Sequence, residues 1–191
     1  MARLVSWNTV TSLWIVFWVY WAVSALSVKP TRHMETVGGR FRTAAGLGVA
    51  AFLIFSPAYH LGILNRRFVP AGQRIGAAPI VLVAAGVAIA IWARRHIGEF
   101  WSAQITLKVD HQLVQSGPYS RVRHPIYSGI LLAMMGTTLF VGEWRAVVGL
   151  VLVFLTHGAK ARREEALLAS QFGQQYEEYR KRTGSLIPRL Y

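Results

Sequence analysis

Residues 117–127, GPYSRVRHPIY, organise this chain, because they gather prolines, arginines, tyrosines and a histidine between apolar segments. A proline fixes its own backbone φ angle and pushes the preceding residue towards extended geometry. The Gly-Pro and His-Pro pairs therefore predict turns or helix starts. Pro125 suits the first turn of a helix, and the apolar run that follows supplies that helix. We therefore expect His124 and Tyr127 to lie where a polar connection meets a membrane helix.

The composition predicts a single membrane domain over residues 1–191. The chain is 53% hydrophobic and only 15% charged, and its apolar residues are gathered into long runs. Such runs are typical of membrane spans. Cysteine is absent, which excludes disulfides, thiolate nucleophiles and cysteine-based metal sites. The net charge of +13 fits basic cytoplasmic loops better than nucleic acid, since no basic stripe with interleaved aromatics stands apart from the spans.

Five apolar runs predict an all-α, polytopic integral membrane protein. The first three form the amino-terminal part, residues 1–92, and the last two belong to a core over residues 93–191. Between the third and fourth runs lies a long polar connection, of a kind that is often functional. The predicted spans cover approximately residues 7–28, 43–64, 75–92, 126–141 and 146–159.

The tail from Lys160 onward is predicted to form a charged amphipathic helix. Its apolar residues recur at spacings of four, four and three, which places them on one face. We expect Gly173 to interrupt this helix. The apolar positions are Leu168, Phe172, Tyr176 and Tyr179.

Two stretches of small residues predict close helix packing. Residues 46–51, GLGVAA, formally match a dinucleotide-binding fingerprint, but that motif needs a preceding strand and a βαβ unit. Here it lies inside an apolar helix, so packing through small residues is the better interpretation. Ala84 and Ala88 have the same small-residue spacing in the third span.

The distribution of basic residues predicts the orientation. With the carboxyl terminus inside, sixteen Lys or Arg residues lie in the cytoplasmic segments and five lie in the outer ones. Cytoplasmic loops carry an excess of these residues. A functional site built from these segments is therefore expected to face the cytoplasm. The cytoplasmic segments are residues 29–43, 93–124 and 160–191.

Polar residues gather on that same side and form the candidate site. Lys160 and Glu164 are four residues apart and share one helix face. Charged groups at the end of a membrane helix are costly unless they are paired or functional. An ordinary charge pair at a solvated helix start remains the alternative. The cluster comprises Gln104, His111, Tyr119, Arg123, His124, Tyr127, Lys160, Glu164 and Glu165.

The joint pattern of motifs resembles the isoprenylcysteine carboxyl methyltransferase family. GPY at 117–119 and RHPIY at 123–127 are followed, one helical hairpin later, by Glu-Glu at 164–165 and Phe-Gly at 172–173. The resemblance covers about residues 95–190. It implies a site for S-adenosylmethionine built over the last two helices.

The resemblance also implies roles for particular residues. The family often has a substrate-facing arginine one turn before the acidic pair, and Lys160 stands there in this chain, without the bidentate fork of arginine. The implied substrate contacts are Lys160, Glu165 and Arg180. The implied cofactor contacts are Gln104, His111, Gln112, Leu113, Val114, Tyr119, His124, Pro125, Ile126, Tyr127 and Glu164.

The function implied by the resemblance is S-adenosylmethionine-dependent methylation of a lipid-like acceptor, most directly the carboxylate of a prenylated cysteine. A carboxylate is already nucleophilic, so no catalytic base is expected, and His124 is interpreted as a binding group. A phospholipid amine or a thiol is an alternative acceptor. An NADPH-dependent reductase of the sterol-reductase type and a membrane scaffold are alternative functions. No metal site is expected, because the six histidines are scattered.

Overall fold

The described part of the chain contains six α-helices, four short 3₁₀ helices and a two-stranded ribbon. A computed structural model describes residues 2–27, 31–34, 36–56, 61–70, 77–101, 106–108 and 113–188. The helices are α1 (Ala2–Ser24), α2 (Val37–Phe55), α3 (Ala78–Ile97), α4 (Pro125–Val141), α5 (Trp144–Phe172) and α6 (Gln174–Arg182). The strands are β1 (Thr31–Met34) and β2 (Thr106–Lys108).

The predicted helical membrane fold is confirmed. Among the described residues, three helical segments are long and apolar enough to cross a membrane. The helix α4 is apolar but has only 17 residues, which is about 25 Å of helix against a hydrocarbon core of about 30 Å. The total of five spans stays a prediction. The three segments are Val37–Phe55, Ala78–Phe100 and Trp144–Phe172.

The predicted boundary between the fifth span and a separate tail helix at Lys160 is wrong. One helix of 29 residues, α5, runs from the apolar segment through the charged residues. Alanine, arginine, glutamate and leucine favour helix, so nothing in this stretch stops it. The interruption predicted at Gly173 is confirmed, since its φ of 51° ends α5 and α6 follows directly.

Two other span boundaries differ from the prediction. The helix α2 begins at Val37 and ends at Phe55, whereas the predicted span covered residues 43–64. Thr36 caps its start by accepting a hydrogen bond from the backbone of Gly39, so helix formation begins before the apolar run. The helix α3 continues to Ile97, five residues beyond the predicted end at residue 92. Its last turn contains the basic residues Arg94, Arg95 and His96.

The ribbon is an addition to the predicted all-α fold. Strands β1 and β2 pair antiparallel, with Thr31 opposite Lys108 and Met34 opposite Thr106. Runs of three or four residues are too short for an alternating pattern to indicate a strand. The pairing joins the segment before α2 to the long polar connection after α3.

Backbone-to-backbone contact between α3 and α4 forms the centre of the fold. A Cβ atom placed on Gly86 would lie 2.4 Å from the backbone nitrogen of Ala133. A Cβ atom on Gly129 or Gly136 of α4 would lie 2.6 Å from a backbone oxygen of α3, that of Gly86 or Pro79 respectively. The small residues that pack are therefore these glycines, and the predicted Ala84–Ala88 pair is wrong, since Ala88 is exposed.

Small-residue packing also joins α2 to α5. A Cβ atom on Gly46 would lie 2.6 Å from the Oγ1 atom of Thr156, whereas one on Gly48 would meet nothing within 4 Å. The packing interpretation of residues 46–51 is thus confirmed at Gly46 and wrong at Gly48. Both glycines lie within α2, where no dinucleotide-binding turn exists.

The helix α1 packs through an aromatic face. Val10, Trp14 and Phe17 form an apolar cluster with residues of α3 and α4. The indole Nε1 of Trp14 donates a hydrogen bond to the Oγ1 atom of Thr137, at 3.1 Å. This bond satisfies the polar atom of the buried tryptophan.

Arg145 closes the hairpin between α4 and α5. Its side chain is 5% exposed, and Nη1 donates to the carbonyl oxygens of Leu53 at 2.7 Å and Ser56 at 3.0 Å. The carboxylate of Glu143 lies 2.6 Å from Nε. The guanidinium thus satisfies carbonyl groups that the end of α2 leaves without helical partners. The turn between the two helices has Gly142 at a φ of 69°.

Arg94 is a buried arginine in the last turn of α3. It is 2% exposed within α3. Its guanidinium donates to the carbonyl oxygens of Gly98 at 2.7 Å and Ser24 at 2.5 Å. It also lies over the ring of Trp101, 4.4 Å from the centroid. These contacts tie the end of α1 to the turn after α3.

Candidate active site

His124 lies at the start of α4 with a carboxylate at each ring nitrogen. Nε2 is 3.0 Å from Oε1 of Glu165, and Nδ1 is 3.4 Å from Oε2 of Glu164. Burial alone would lower the pKa of His124, but its hydrogen bonds to the two carboxylates outweigh burial and raise that pKa. Because ionised carboxylates only accept hydrogen bonds, these two contacts favour the charged imidazole, in which both ring nitrogens carry a proton.

Glu165 ties the chain's tail to the segment before α4. Its Oε1 accepts hydrogen bonds from Nε of Arg123 at 3.0 Å and from the hydroxyl of Ser185 at 2.9 Å. The guanidinium of Arg123 also donates to the carbonyl oxygen and hydroxyl of Thr183. We call Arg123, Glu165, Thr183 and Ser185 the tail clasp. Its charge-assisted bonds hold the end of the chain beside His124.

The tail clasp is reinforced by the backbone. The amide nitrogen of Arg123 donates to the carbonyl oxygen of Gly184 at 2.9 Å, and that of His124 donates to Ser185 at 3.1 Å. The hydroxyl of Tyr179, in α6, donates to the carbonyl oxygen of Tyr119 at 2.7 Å. The motif at 117–127 is therefore covered by α6 and by the chain that follows it.

Glu164 faces a different set of partners, on the side of α5 that meets α4. The hydroxyl of Tyr127 donates to Oε1 of Glu164 at 2.7 Å, and Nζ of Lys160 lies 3.9 Å from the same oxygen. The ring of Tyr127 stacks on His124 with centroids 5.4 Å apart. Nζ of Lys160 lies 5.3 Å from the Tyr127 ring centroid. We call His124, Tyr127, Lys160 and Glu164 the acid–aromatic site.

The acid–aromatic site has the chemistry of a cation-binding site. A carboxylate can receive an ammonium group, and the face of a tyrosine attracts a positive charge. The side chain of Glu164 is 19% exposed, so it is neither fully solvated nor fully buried. The charge of His124 is shared between two carboxylates, which lowers its repulsion of a second cation.

Several other predicted cofactor contacts lie in the packing beneath this site. Tyr119 is buried, and its hydroxyl is 3.5 Å from the carbonyl oxygen of Ala93. Burial, followed by the nearby Tyr179 and the charge of Glu164, raises the pKa of Tyr119. The remaining predicted contacts in the described chain are Leu113 and Val114, which are half-buried, and Pro125 and Ile126, which are buried.

The predicted substrate residues are not all brought together. Lys160 belongs to the acid–aromatic site, and Glu165 belongs to the tail clasp. The side chain of Arg180 is exposed, and its Nη2 pairs with Glu177 on α6 at 3.0 Å. The predicted contacts Gln104, His111 and Gln112 lie outside the described residues.

His157 is a site residue that the motif comparison missed. It is buried in α5, and its ring lies edge-on to Tyr127 with centroids 4.8 Å apart. It precedes Lys160 by three residues and Glu164 by seven, so all three share one helix face. Extending that face one turn back from Lys160 would have found it.

No candidate metal centre is present in the part of the chain that the structure describes. No group of three or more histidine, cysteine, aspartate or glutamate side chains there has the geometry to hold a metal ion. His111 and Asp110 lie outside that part. The expected absence of a metal site therefore stays a prediction.

Sequence comparison defines the family. A sequence profile of the phospholipid methyltransferase family matches residues 75–175, more than half of the chain. The chain belongs to this family. The match includes α3, α4, α5 and the start of α6, which together carry the acid–aromatic site.

Individual relatives confirm the resemblance that the motifs indicate. Protein-S-isoprenylcysteine O-methyltransferase of Schizosaccharomyces pombe is 40% identical over 80 residues, covering 41% of this chain and 34% of that protein. Protein-S-isoprenylcysteine O-methyltransferase B of Arabidopsis thaliana is 37% identical over 79 residues, covering 41% and 40%. Cobalt-zinc-cadmium resistance protein CzcN of Cupriavidus metallidurans is 38% identical over 96 residues, covering 49% and 44%. The matches thus span less than half the length of each relative.

A solved structure has the same fold. The eukaryotic intramembrane Ras methyltransferase ICMT (isoprenylcysteine carboxyl methyltransferase) aligns with a TM-score of 0.55 at 21% sequence identity. The alignment covers 82% of this chain and 54% of that chain. Together with the candidate spans, this likeness identifies the chain as an integral membrane protein.

Proposed function

We propose that this protein is an S-adenosylmethionine-dependent methyltransferase that methylates a lipid-borne acceptor within the membrane. Family membership and the named methyltransferase relatives support the class of reaction. The alternative of an NADPH-dependent reductase finds no support in these comparisons.

One observation carries the proposal: Glu164 is held beside the stacked rings of His124 and Tyr127. Bound S-adenosylmethionine would supply an electrophilic methyl group on a sulfonium. The Glu164 carboxylate suits the amino group of that cofactor, and the Tyr127 ring suits its positive charge. The other predicted cofactor contacts remain part of this proposal, including those outside the described residues.

The protein's role in the reaction is to position groups. Methyl transfer needs the accepting atom within about 3–3.5 Å of the methyl carbon and in line with its breaking bond. Both ring nitrogens of His124 face carboxylates, so we assign His124 to binding and not to proton removal. Lys160 is one turn deeper in α5 than Glu164, and we assign it to the acceptor, with its stem in apolar surroundings.

The acceptor is proposed to be the carboxylate of a prenylated cysteine or a related lipid. Two of the relatives named above are protein-S-isoprenylcysteine O-methyltransferases. A carboxylate needs no base, which agrees with the assignment of His124 to binding. A phospholipid amine is the second candidate, because the matching family is described as phospholipid methyltransferase.

Ligand titration tests the cofactor. Purified protein in detergent micelles should release heat on titration with S-adenosylhomocysteine and none with NADPH, as measured by calorimetry. Methyl transfer from labelled S-adenosylmethionine to N-acetyl-S-farnesylcysteine, extracted and counted, then tests the acceptor. Binding of NADPH without S-adenosylhomocysteine would overturn the proposal.

The site is proposed to face the cytoplasm. The cysteine-free chain allows single cysteines at the exposed positions Ser116 and Lys181 to be labelled from one side of sealed vesicles. Both should label from the cytoplasmic side. Labelling from the opposite side would overturn the orientation and leave the cofactor assignment standing.

A further inference from the structure

His157 is a polar side chain set in the membrane-spanning part of α5. It is 6% exposed, and its neighbours along the helix are mostly apolar. Ionisable groups inside a membrane segment are costly and usually have a function. We therefore expect the imidazole to have a role besides packing, because a phenylalanine could fill the same space against Tyr127.

The hydrogen bond made by one ring nitrogen determines what the other can do. Nδ1 of His157 lies 3.0 Å from the carbonyl oxygen of Val153, one turn earlier in α5. A carbonyl oxygen only accepts, so Nδ1 carries the proton. At neutral pH an imidazole with an ordinary pKa of about 6.5 is mostly neutral. Nε2 then has a free lone pair and acts as a hydrogen-bond acceptor.

Nε2 of His157 receives no hydrogen bond from the described part of the chain. Within it, the only hydrogen bond of the His157 side chain is the one to Val153. The nearest aromatic neighbour, Tyr127, gives its hydroxyl proton to Glu164. An apolar ligand beside Nε2 would leave the lone pair unpaired, which is unfavourable in a buried site.

His157 lies on the same face of α5 as Lys160 and Glu164, the two proposed ligand contacts of that helix. Glu164, the proposed cofactor contact, lies seven residues further along the same face, or about 10 Å of helix. Tyr127 contacts both residues. Its ring lies edge-on to His157, and its hydroxyl donates a hydrogen bond to Glu164. An acceptor that approaches the cofactor from the bilayer would pass the imidazole.

We propose that Nε2 of His157 receives a hydrogen bond from an N–H or O–H group of the methyl acceptor. The acceptor therefore carries a hydrogen-bond donor next to its methyl-accepting atom, as the amide of a prenylated cysteine does. This inference rests on the proposed function, and it names a specificity-determining residue and a chemical feature of the substrate.

Two matched acceptors test it. N-acetyl-S-farnesylcysteine has an amide N–H beside its carboxylate, and S-farnesyl-3-mercaptopropionic acid has the same thioether and carboxylate without the amide. The wild-type protein should prefer the amide-bearing acceptor in kcat/KM by about tenfold, as expected for one buried hydrogen bond.

Substitution of the imidazole should remove the preference. His157→Phe keeps the aromatic edge against Tyr127 and lacks the lone pair, so kcat/KM should fall for the amide-bearing acceptor alone and the ratio should approach one. His157→Gln, which restores an acceptor oxygen, should recover part of the preference. Thr156→Val, in the same turn but facing Gly46 of α2, is the matched control and should keep the wild-type ratio.

The outcomes separate the inference from the proposed function. Equal kcat/KM for the two acceptors in the wild-type protein, or a preference that survives in His157→Phe, overturns the inference and leaves the methyltransferase assignment intact. If the protein binds S-adenosylhomocysteine and methylates neither acceptor, the proposed acceptor is wrong and the inference falls with it. If His157→Phe does not fold, His157→Met also lacks ring nitrogens and makes the same comparison.

Discussion

The α3–α4 interface and the acid–aromatic site with its tail clasp are both buried, but different forces hold them together. At the interface, glycines let two backbones touch. At the site, His124 is hydrogen-bonded to two carboxylates from α5. Lipid tails are as apolar as a leucine side chain, so apolar contact alone does not draw helices together in a membrane. Membrane helices therefore associate through close packing. The interface should therefore control folding, and the charged cluster should control ligand binding and pH dependence.

The largest expected effect is a loss of stability in Gly86→Leu. A Cβ atom there would lie 2.4 Å from the backbone of α4, which cannot give way as a flexible side chain can. The free energy of unfolding in detergent should fall by about 3 kcal/mol or more. Gly48→Leu is the control, since a Cβ there meets nothing within 4 Å. Similar unfolding midpoints for the two variants would show that this interface does not control folding.

The next effect is expected for Glu165→Gln, which breaks the tail clasp. Arg123 and His124 each lose a charged partner. Because the side chain of Glu165 is 16% exposed, the free energy of unfolding should fall by about 2 kcal/mol, less than the cost of breaking a fully buried pair. Trypsin should also cleave near residues 180–182 faster. Glu177→Gln, whose pair with Arg180 is exposed, should change stability by at most about 0.5 kcal/mol. An unchanged cleavage rate in Glu165→Gln would contradict this role.

Glu164→Gln separates ligand binding from folding within the cluster. It should weaken S-adenosylhomocysteine binding roughly ten- to hundredfold, because a charge-assisted hydrogen bond contributes about 1.5–3 kcal/mol. The unfolding midpoint should change less than in Glu165→Gln. Calorimetry on both variants, with Glu177→Gln again as control, makes the comparison. An unchanged dissociation constant in folded Glu164→Gln would refute its proposed role.

Lys160 is expected to act on the acceptor and not on the cofactor. Lys160→Met should lower kcat/KM for the acceptor by about tenfold and leave the dissociation constant of S-adenosylhomocysteine nearly unchanged. Lys160→Arg should keep or improve activity if the acceptor is a carboxylate, because the guanidinium fork fits it. Loss of cofactor binding in parallel with activity would assign Lys160 to the cofactor instead. Loss of neither would direct the search for the acceptor contact to Arg180.

The smallest effect is a dependence of stability on pH. Hydrogen bonds to Glu164 and Glu165 raise the pKa of His124 above the ordinary 6.5 in the folded state. This stabilisation is therefore complete below pH 6.5 and is lost as the pH rises through the folded-state pKa. The free energy of unfolding should fall over that range in the wild-type protein and less steeply in His124→Gln. Equal slopes would show that another group is responsible.

Local chemistry explains what was predictable. The helix start at Pro125, the break at Gly173 and the turn at Gly142 depend on backbone preferences of single residues, which the sequence displays directly. The motif from 117 to 127, followed by Glu164 and Glu165, was specific enough to indicate the family, and the comparisons confirm it.

The contacts of the site depend on which helix faces meet, and neither composition nor helical spacing specifies this. Arg123 and Glu165 are 42 residues apart, and only the packing of α4 against α5 shows that Glu165 holds the tail while Glu164 faces Tyr127. For the same reason, only the packing of α4 against α5 shows that His157 belongs to the site. A pattern along one helix defines a face, but the neighbour that covers the face is chosen by close packing over the whole fold.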